Sequence, residues 1–339
     1  MAGPNPLPLS TPATGYPVAE ETFDALEIEW LELLSQAIVN TPFSLPLWKK
    51  LWWQAFGGGR ELLLLSVREG GKLVGVAPLL REGGRAQFLG DTRTADYSDF
   101  VVARGHEGLF YHSLLDYLEA KNIASLYLES VPSTSPTLTE LLGQAKLRGY
   151  TVSADVEDVC PRIELPATWD DYLSFLSKKD RHELRRKIRR LLDRRQVRWY
   201  GLECSQIRDN DLDDFFRLFR LSRDEKARFL DAEMEKFFRE MAAAMVSASH
   251  LRLFFMELEG TRMATSLCFD YRGELLLYNS GFDPAYGPLS VGLLLKAFCI
   301  KEAIEAGRKA FDFLRGSEAY KYDLGGQDRA IHRCIIERG

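Results

Sequence analysis

Two stretches decide the fold: Leu62–Leu80, LLLLSVREGGKLVGVAPLL, and Arg252–Asp270, RLFFMELEGTRMATSLCFD. They align at a constant offset of 190, with Glu69-Gly70-Gly71-Lys72 over Glu259-Gly260-Thr261-Arg262. Each reads as strand, tight glycine turn, strand. A third strand follows each at the same offset, Arg85–Gly90 and Leu275–Ser280. Then a helix is expected, roughly Glu107–Ala120 and Pro288–Ala306, and a further strand, Ser125–Ser130 and Lys309–Leu314. The hairpins make the early strands antiparallel, and the strand–helix–strand crossover makes the last pair parallel. The expected fold class is therefore α/β with mixed (α+β) sheets, built as a tandem repeat.

The chain has 339 residues, 46% of them hydrophobic, enough for two cores. A net charge of −5 with 27% charged residues predicts no general affinity for nucleic acid or membrane. The five cysteines show no metal-ligand spacing, so no metal is expected, and they read as reduced core residues of a cytoplasmic protein. The Pro-rich start, residues 1–22, reads as a mobile arm and not as a signal peptide or anchor. The expected units are 23–165, and 166–339 with a helical insertion at 169–248.

That insertion holds KKDRHELRRKIRRLLDRRQVR, Lys178–Arg198, with eleven Lys/Arg against three Asp/Glu. Leu184, Ile188, Leu191 and Leu192 form one helical stripe. The opposite face is either a solvated charged surface or a patch for an anion. Few aromatics interleave the charges, so nucleic acid is not the expected partner. Downstream, Asn279-Ser280-Gly281 marks a loop, and Pro288 stands where the first helical residue is expected. The amides of Leu289, Ser290, Val291 and Gly292 would then be free. That end is either a phosphate site or simply the cap of a buried helix.

The stretches WDDYLSFLSKKDRHELRRKIRRLLDRR, YNSGFDPAYGPLSVGLLLKA and FDFLRGSEAYKYDLG resemble the CelD/BcsL-type (BioF2-like) acetyltransferases of the GNAT superfamily. More distantly, the chain is similar to the FemAB-like tandem-GNAT aminoacyltransferases. Gly287–Gly292 keeps only part of the usual phosphate-loop pattern of the superfamily. The resemblance implies tandem GNAT domains and transfer of an acetyl or longer acyl group from acyl-CoA to an amine or hydroxyl. The acceptor would be a small molecule or saccharide held between the domains. It implies acyl-CoA contacts at Ser280, Gly281, Phe282, Gly287, Leu289, Ser290, Val291 and Gly292. Lys321 is the candidate oxyanion stabiliser and Tyr320 the candidate general acid. Asp312 and Glu318 are candidates for the base, or, in the case of Asp312, for a group that positions a cation. If the segment around Lys321 is extended, Tyr320 and Tyr322 share one face and Lys321 the other. The first copy, which lacks a Tyr-Lys segment, is expected not to bind CoA. Its loop residues Asp96, Tyr97 and Asp99 are candidate acceptor contacts, or loop caps. The alternatives are a FemAB-like enzyme using charged tRNA and a cell-wall precursor, and a non-catalytic tandem-GNAT scaffold in polysaccharide biosynthesis.

Overall fold

A computed structural model describes residues 15–194 and 196–338. The first half contains β1 (Val18–Glu20), α1 (Phe23–Leu34), α2 (Pro46–Phe56), β2 (Glu61–Glu69), β3 (Lys72–Glu82), β4 (Arg85–Phe88), β5 (Val101–Val102), α3 (Glu107–Ala120), β6 (Ser125–Pro132), α4 (Glu140–Leu147) and β7 (Thr151–Val159). The second half begins with β8 (Arg162–Glu164), α5 (Trp169–Phe175), the basic helix α6 (Lys178–Leu192) and β9 (Val197–Leu202). It continues with α7 (Asp209–Ser222), α8 (Asp224–Phe229) and α9 (Ala232–Ser247). The chain closes with β10 (Leu251–Leu258), β11 (Thr261–Tyr271), β12 (Glu274–Phe282), α10 (Val291–Glu305), β13 (Ala310–Asp312), α11 (Ala319–Asp323) and β14 (Ala330–Glu337). The mobile arm expected at 1–22 falls for its first fourteen residues outside the described part of the chain.

The repeat is real in three dimensions. β2–β3–β4 and β10–β11–β12 are antiparallel meanders, and β4 pairs with β6, as β12 does with β13, in parallel. Glu259-Gly260 and Gly70-Gly71 turn the first hairpins with positive φ, the geometry that suits a right-handed strand twist. The two sheets also trade strands, which the sequence reading did not foresee. β14, from the end of the chain, lies between β6 and β7 in the first sheet. In return β8, which directly follows the first half, pairs with β13 at the edge of the second.

The insertion is part of a shared core. Trp48 of α2 meets Phe237 of α9 and Tyr278 of β12 edge-on, at centroid distances of 6.1 and 5.7 Å. Phe238 stacks on Tyr278 at 5.5 Å. Such aromatic pairs add about 0.5–1.5 kcal/mol each beyond their area burial. α6 buries Leu184 and Leu191, whereas Leu192, expected in the same stripe, is 51% exposed because the helix ends there. All five cysteines are unpaired and four are buried. Among the described residues, no helix is long and apolar enough to cross a membrane, and no group of three or more His, Cys, Asp or Glu could hold a metal.

Candidate active site

The cleft begins where β12 and β13 part. They pair only over Glu274↔Ala310, Leu275↔Phe311 and Leu276↔Asp312. β13 then stops, because the next residues pair elsewhere: Phe313 N donates to Pro161 O, and Gly316 N to Val159 O. Leu314 (φ 57°) and Gly316 (φ 108°) make that departure possible. β12 runs on to Phe282, with a bulge at Tyr278 that redirects its free edge. Two adjoining cavities occupy the opening, of about 280 and 220 Å³, and both are lined by Lys226, Ser280, Glu318 and Tyr320.

The larger arm ends at the start of α10. A tight 3-10 turn, Pro284–Leu289, precedes Ser290, the N-cap, whose φ of 58° swings the chain into the helix. The helix thus begins at Val291, one turn later than expected, and Pro288 sits inside the turn. Ser280, Phe282, Gly287, Ser290, Val291 and Gly292 line this arm. Leu289 does not, and Gly281 faces away, packed where a Cβ would lie 2.5 Å from Leu218 O of α7. No carboxylate stands in the first turn of α10. Cations surround it instead. Arg190 of the basic helix reaches Ser290 Oγ at 3.5 Å, and Arg223, Lys226 and Lys296 line the wall. Lys296 Nζ donates to Gly292 O and lies 4.7 Å from the Tyr320 ring centre. Burial lowers Lys296 to about 8, and burial with the nearby Lys296 and Arg223 charges lowers Lys226 to about 7.

The smaller arm is lined by Arg93, Asp96, Asn279, Arg315 and Lys321 beside the shared residues. Burial raises the Asp96 carboxyl to about 7, against the opposing pull of Arg315 and Lys321. Arg315 is held by Glu157 at 2.8 Å and by Ser130 at 2.6 Å, and its Nε stands 3.8 Å from Asp96. Tyr320 lines both arms, and burial pushes its pKa well up, so it keeps its proton.

The Lys321 segment is not extended. It is the short helix α11, so strand alternation does not apply, and Tyr320 and Lys321 point apart by helical geometry. Lys321 is 1% exposed. Its three protons go to Leu314 O, Arg315 O and Gly316 O at 2.9, 2.6 and 2.9 Å, with Glu318 at 3.0 Å. None is left for a substrate oxyanion. Burial pushes Glu318 up, but Lys321 outweighs it and holds the carboxylate below its usual range.

Three other expected residues lie outside the cleft. Asp312 is buried, accepting from Tyr97 OH at 2.9 Å and Leu314 N at 2.7 Å, and burial raises it to about 6. Tyr97 is thereby spent on the bond between the halves. Asp99 is buried, accepting from Thr137 Oγ1 and Phe100 N. Its carboxyl is also raised to about 6 by burial. Of the three loop candidates only Asp96 reaches the cleft. The cations Arg93, Arg223, Lys226 and Lys296 were missed. Lys296 left a signal, a lone charge in the apolar run Val291–Ile300, whereas nothing in DEKARF singles out Lys226.

Residues 178–322 match the family model described as Acetyltransferase (GNAT) domain. No curated protein matches the sequence. Among solved structures, FemX is similar over 94% of this chain and 96% of its own, with TM-score 0.65 and 13% identity. The C-terminal (DUF2156) domain of a lysylphosphatidylglycerol synthetase from Agrobacterium fabrum gives TM-score 0.58 at 11% identity, covering 94% of this chain and 93% of that one. A tandem GNAT protein from the clavulanic acid biosynthesis pathway gives 0.50 at 14%, covering 94% and 97%. With one matched GNAT segment and two mixed sheets, the chain has a mixed α/β architecture that resembles tandem GNAT folds.

Proposed function

We propose that the protein is an acyltransferase that moves an acyl group from acyl-CoA to an amine in this cleft, with residues 166–339 holding the donor and 23–165 contributing to the acceptor side. One observation carries the reading: the parted strands β12 and β13 open a two-armed cavity between a carboxylate-free helix start and an ionisable acceptor arm. The donor's phosphates fit the α10 terminus, where free amides and the helix dipole favour anions and Arg190 and Arg223 add charge. The CelD/BcsL-type resemblance of the sequence agrees with this donor.

In the reaction the acceptor nitrogen attacks the thioester carbonyl. A C–N bond forms, the C–S bond breaks, and the nitrogen's proton leaves. Asp96, with a carboxyl raised to about 7, suits the role of base. Lys226 uses one proton on Ser280 O and has others for the oxyanion, the task first assigned to Lys321. Tyr320 donates its proton to the departing thiolate sulfur and is reprotonated from solvent. Titration calorimetry with acetyl-CoA and longer acyl-CoAs tests the donor. Binding that weakens in Arg223→Ala is expected, and absence of binding to every acyl-CoA would sink the proposal.

A second reading, aminoacyl transfer from charged tRNA, draws on the fold likeness to FemX and on a basic helix that adjoins the donor arm through Arg190. It predicts tRNA binding with a steep salt dependence, and acyl-CoA would then give no heat.

A further inference from the structure

A third cavity, of about 320 Å³, shares no lining residue with the cleft and is absorbed by none of the chemistry above. Its volume falls in the range of metabolite sites, roughly 300–1,000 Å³. It sits where the exchanged strands meet: Arg162 comes from β8, Arg329 precedes β14, and Arg272 and Lys309 flank the starts of β12 and β13. Four cations thus face one cavity. Only two carboxylates do, and both are engaged. Glu274 holds Arg162 by two bonds, and Asp312 is taken by Tyr97 and Leu314 N. Arg329 has one partner, Glu164, at 2.6 Å. Among the described residues, no ion pair engages Arg272 or Lys309. Their backbones run side by side, since Lys309 N donates to the carbonyl of Gly273, the residue after Arg272, at 2.7 Å. Both side chains are solvent-exposed and line the cavity, so they make its field positive, and hydroxyls of Thr41, Ser133 and Thr134 extend the polar wall.

We propose that this cavity is a second ligand site, which takes a small anion bearing phosphate or carboxylate groups. The exchange of β8 and β14 brings Arg162 and Arg329 to it, and the Tyr97–Asp312 contact forms part of its wall.

The test is titration calorimetry at low ionic strength with inorganic phosphate and, separately, succinate. The variant is Arg272→Asn with Lys309→Gln. Asn suits the left-handed φ of 52° at position 272, and the backbone bond from Lys309 N to Gly273 O is kept, so the turn is preserved. At least one probe should bind at one site per chain, and the double variant should weaken it about tenfold or more. The same binding should survive in Arg223→Ala, which weakens the anion site of the cleft. The stronger probe identifies the anionic group. The proposal fails if neither probe binds, if the double variant keeps its affinity within about twofold, or if Arg223→Ala abolishes the signal.

Discussion

Lys321→Met separates a brace from a catalyst. Its ammonium closes a loop that cannot otherwise satisfy itself: the carbonyls of Leu314, Arg315 and Gly316 converge on one nitrogen while the chain passes through two left-handed residues. Methionine keeps the buried stem volume and removes the donor. Each hydrogen bond to a charged group contributes about 1.5–3 kcal/mol, but the three are not additive, and Leu314 and Arg315 border a cavity where water can replace some of the loss. The Glu318 pair adds little, because that carboxylate is 44% exposed. The expected cost is about 3–5 kcal/mol, the range for breaking a buried charge arrangement. Urea denaturation should show it as a lower midpoint at unchanged slope. Lys321→Arg should not rescue, since a planar guanidinium cannot aim three donors at one point's worth of carbonyls. If Lys321→Met holds its stability within about 1 kcal/mol and acyl transfer still falls a hundredfold or more, the ammonium acts on substrate and the bracing argument is wrong.

Tyr320→Phe should cut kcat by about 10²–10⁴ while leaving acyl-CoA affinity unchanged by calorimetry; equal activity removes the phenol from the reaction. Asp96→Asn reports on a carboxyl whose folded pKa is raised to about 7. Such a group stabilises the fold fully below its unfolded pKa, and that contribution is lost as pH rises through the folded one. The variant should therefore gain on the wild type by about 1–2 kcal/mol between pH 5 and 7 in chemical denaturation; a flat difference refutes the shift. Gly281→Ala should destabilise by about 3 kcal/mol or more, because the new methyl meets the α7 backbone at Phe219 N and Leu218 O; a stable protein with weakened acyl-CoA binding would return Gly281 to the donor site.

The repeat was legible because its signals are local. Alternating apolar residues broken by Glu-Gly turns mark the hairpins, and α3 spans the expected Glu107–Ala120. The exchange of β8 and β14 was not legible. Cys334 and Ile336 alternate inward like any strand, and nothing in that pattern names a partner more than a hundred residues away. The site failed on similar grounds. An Asp that links two halves, as Asp312 does, and an Asp that faces a cleft, as Asp96 does, are the same letter, and what separates them is the packing around each. Lys321 misled because a buried ammonium neutralised by carbonyls and one aimed at substrate differ only in what surrounds them. Lys226 was invisible because its role comes from where α8 docks on β12, at Ser280 O, and not from its neighbours in sequence.

The two halves share a strand plan, yet their openings differ in ways that bear on how many donors one chain holds. In the first half, the opening beyond β4 and β6 is a cavity of about 60 Å³, lined among others by Asp91 and Glu129. That is too small for an acyl-pantetheine arm and of the wrong charge for a phosphate. The helix that should receive the phosphates, α3, carries Glu107 in its first turn, where a carboxylate already satisfies the positive end of the dipole. Lys49 closes the space from behind, 1% exposed, with its ammonium on Leu89 O and 3.6 Å from the Cβ position of Gly90. At α10 the first turn carries no carboxylate, and the cavity there is several times larger. The asymmetry supports one acyl-CoA per chain, and calorimetric stoichiometry decides it. A value of two would mean that the first half opens further than this packing allows, and the assignment of the acceptor to that side would fall with it.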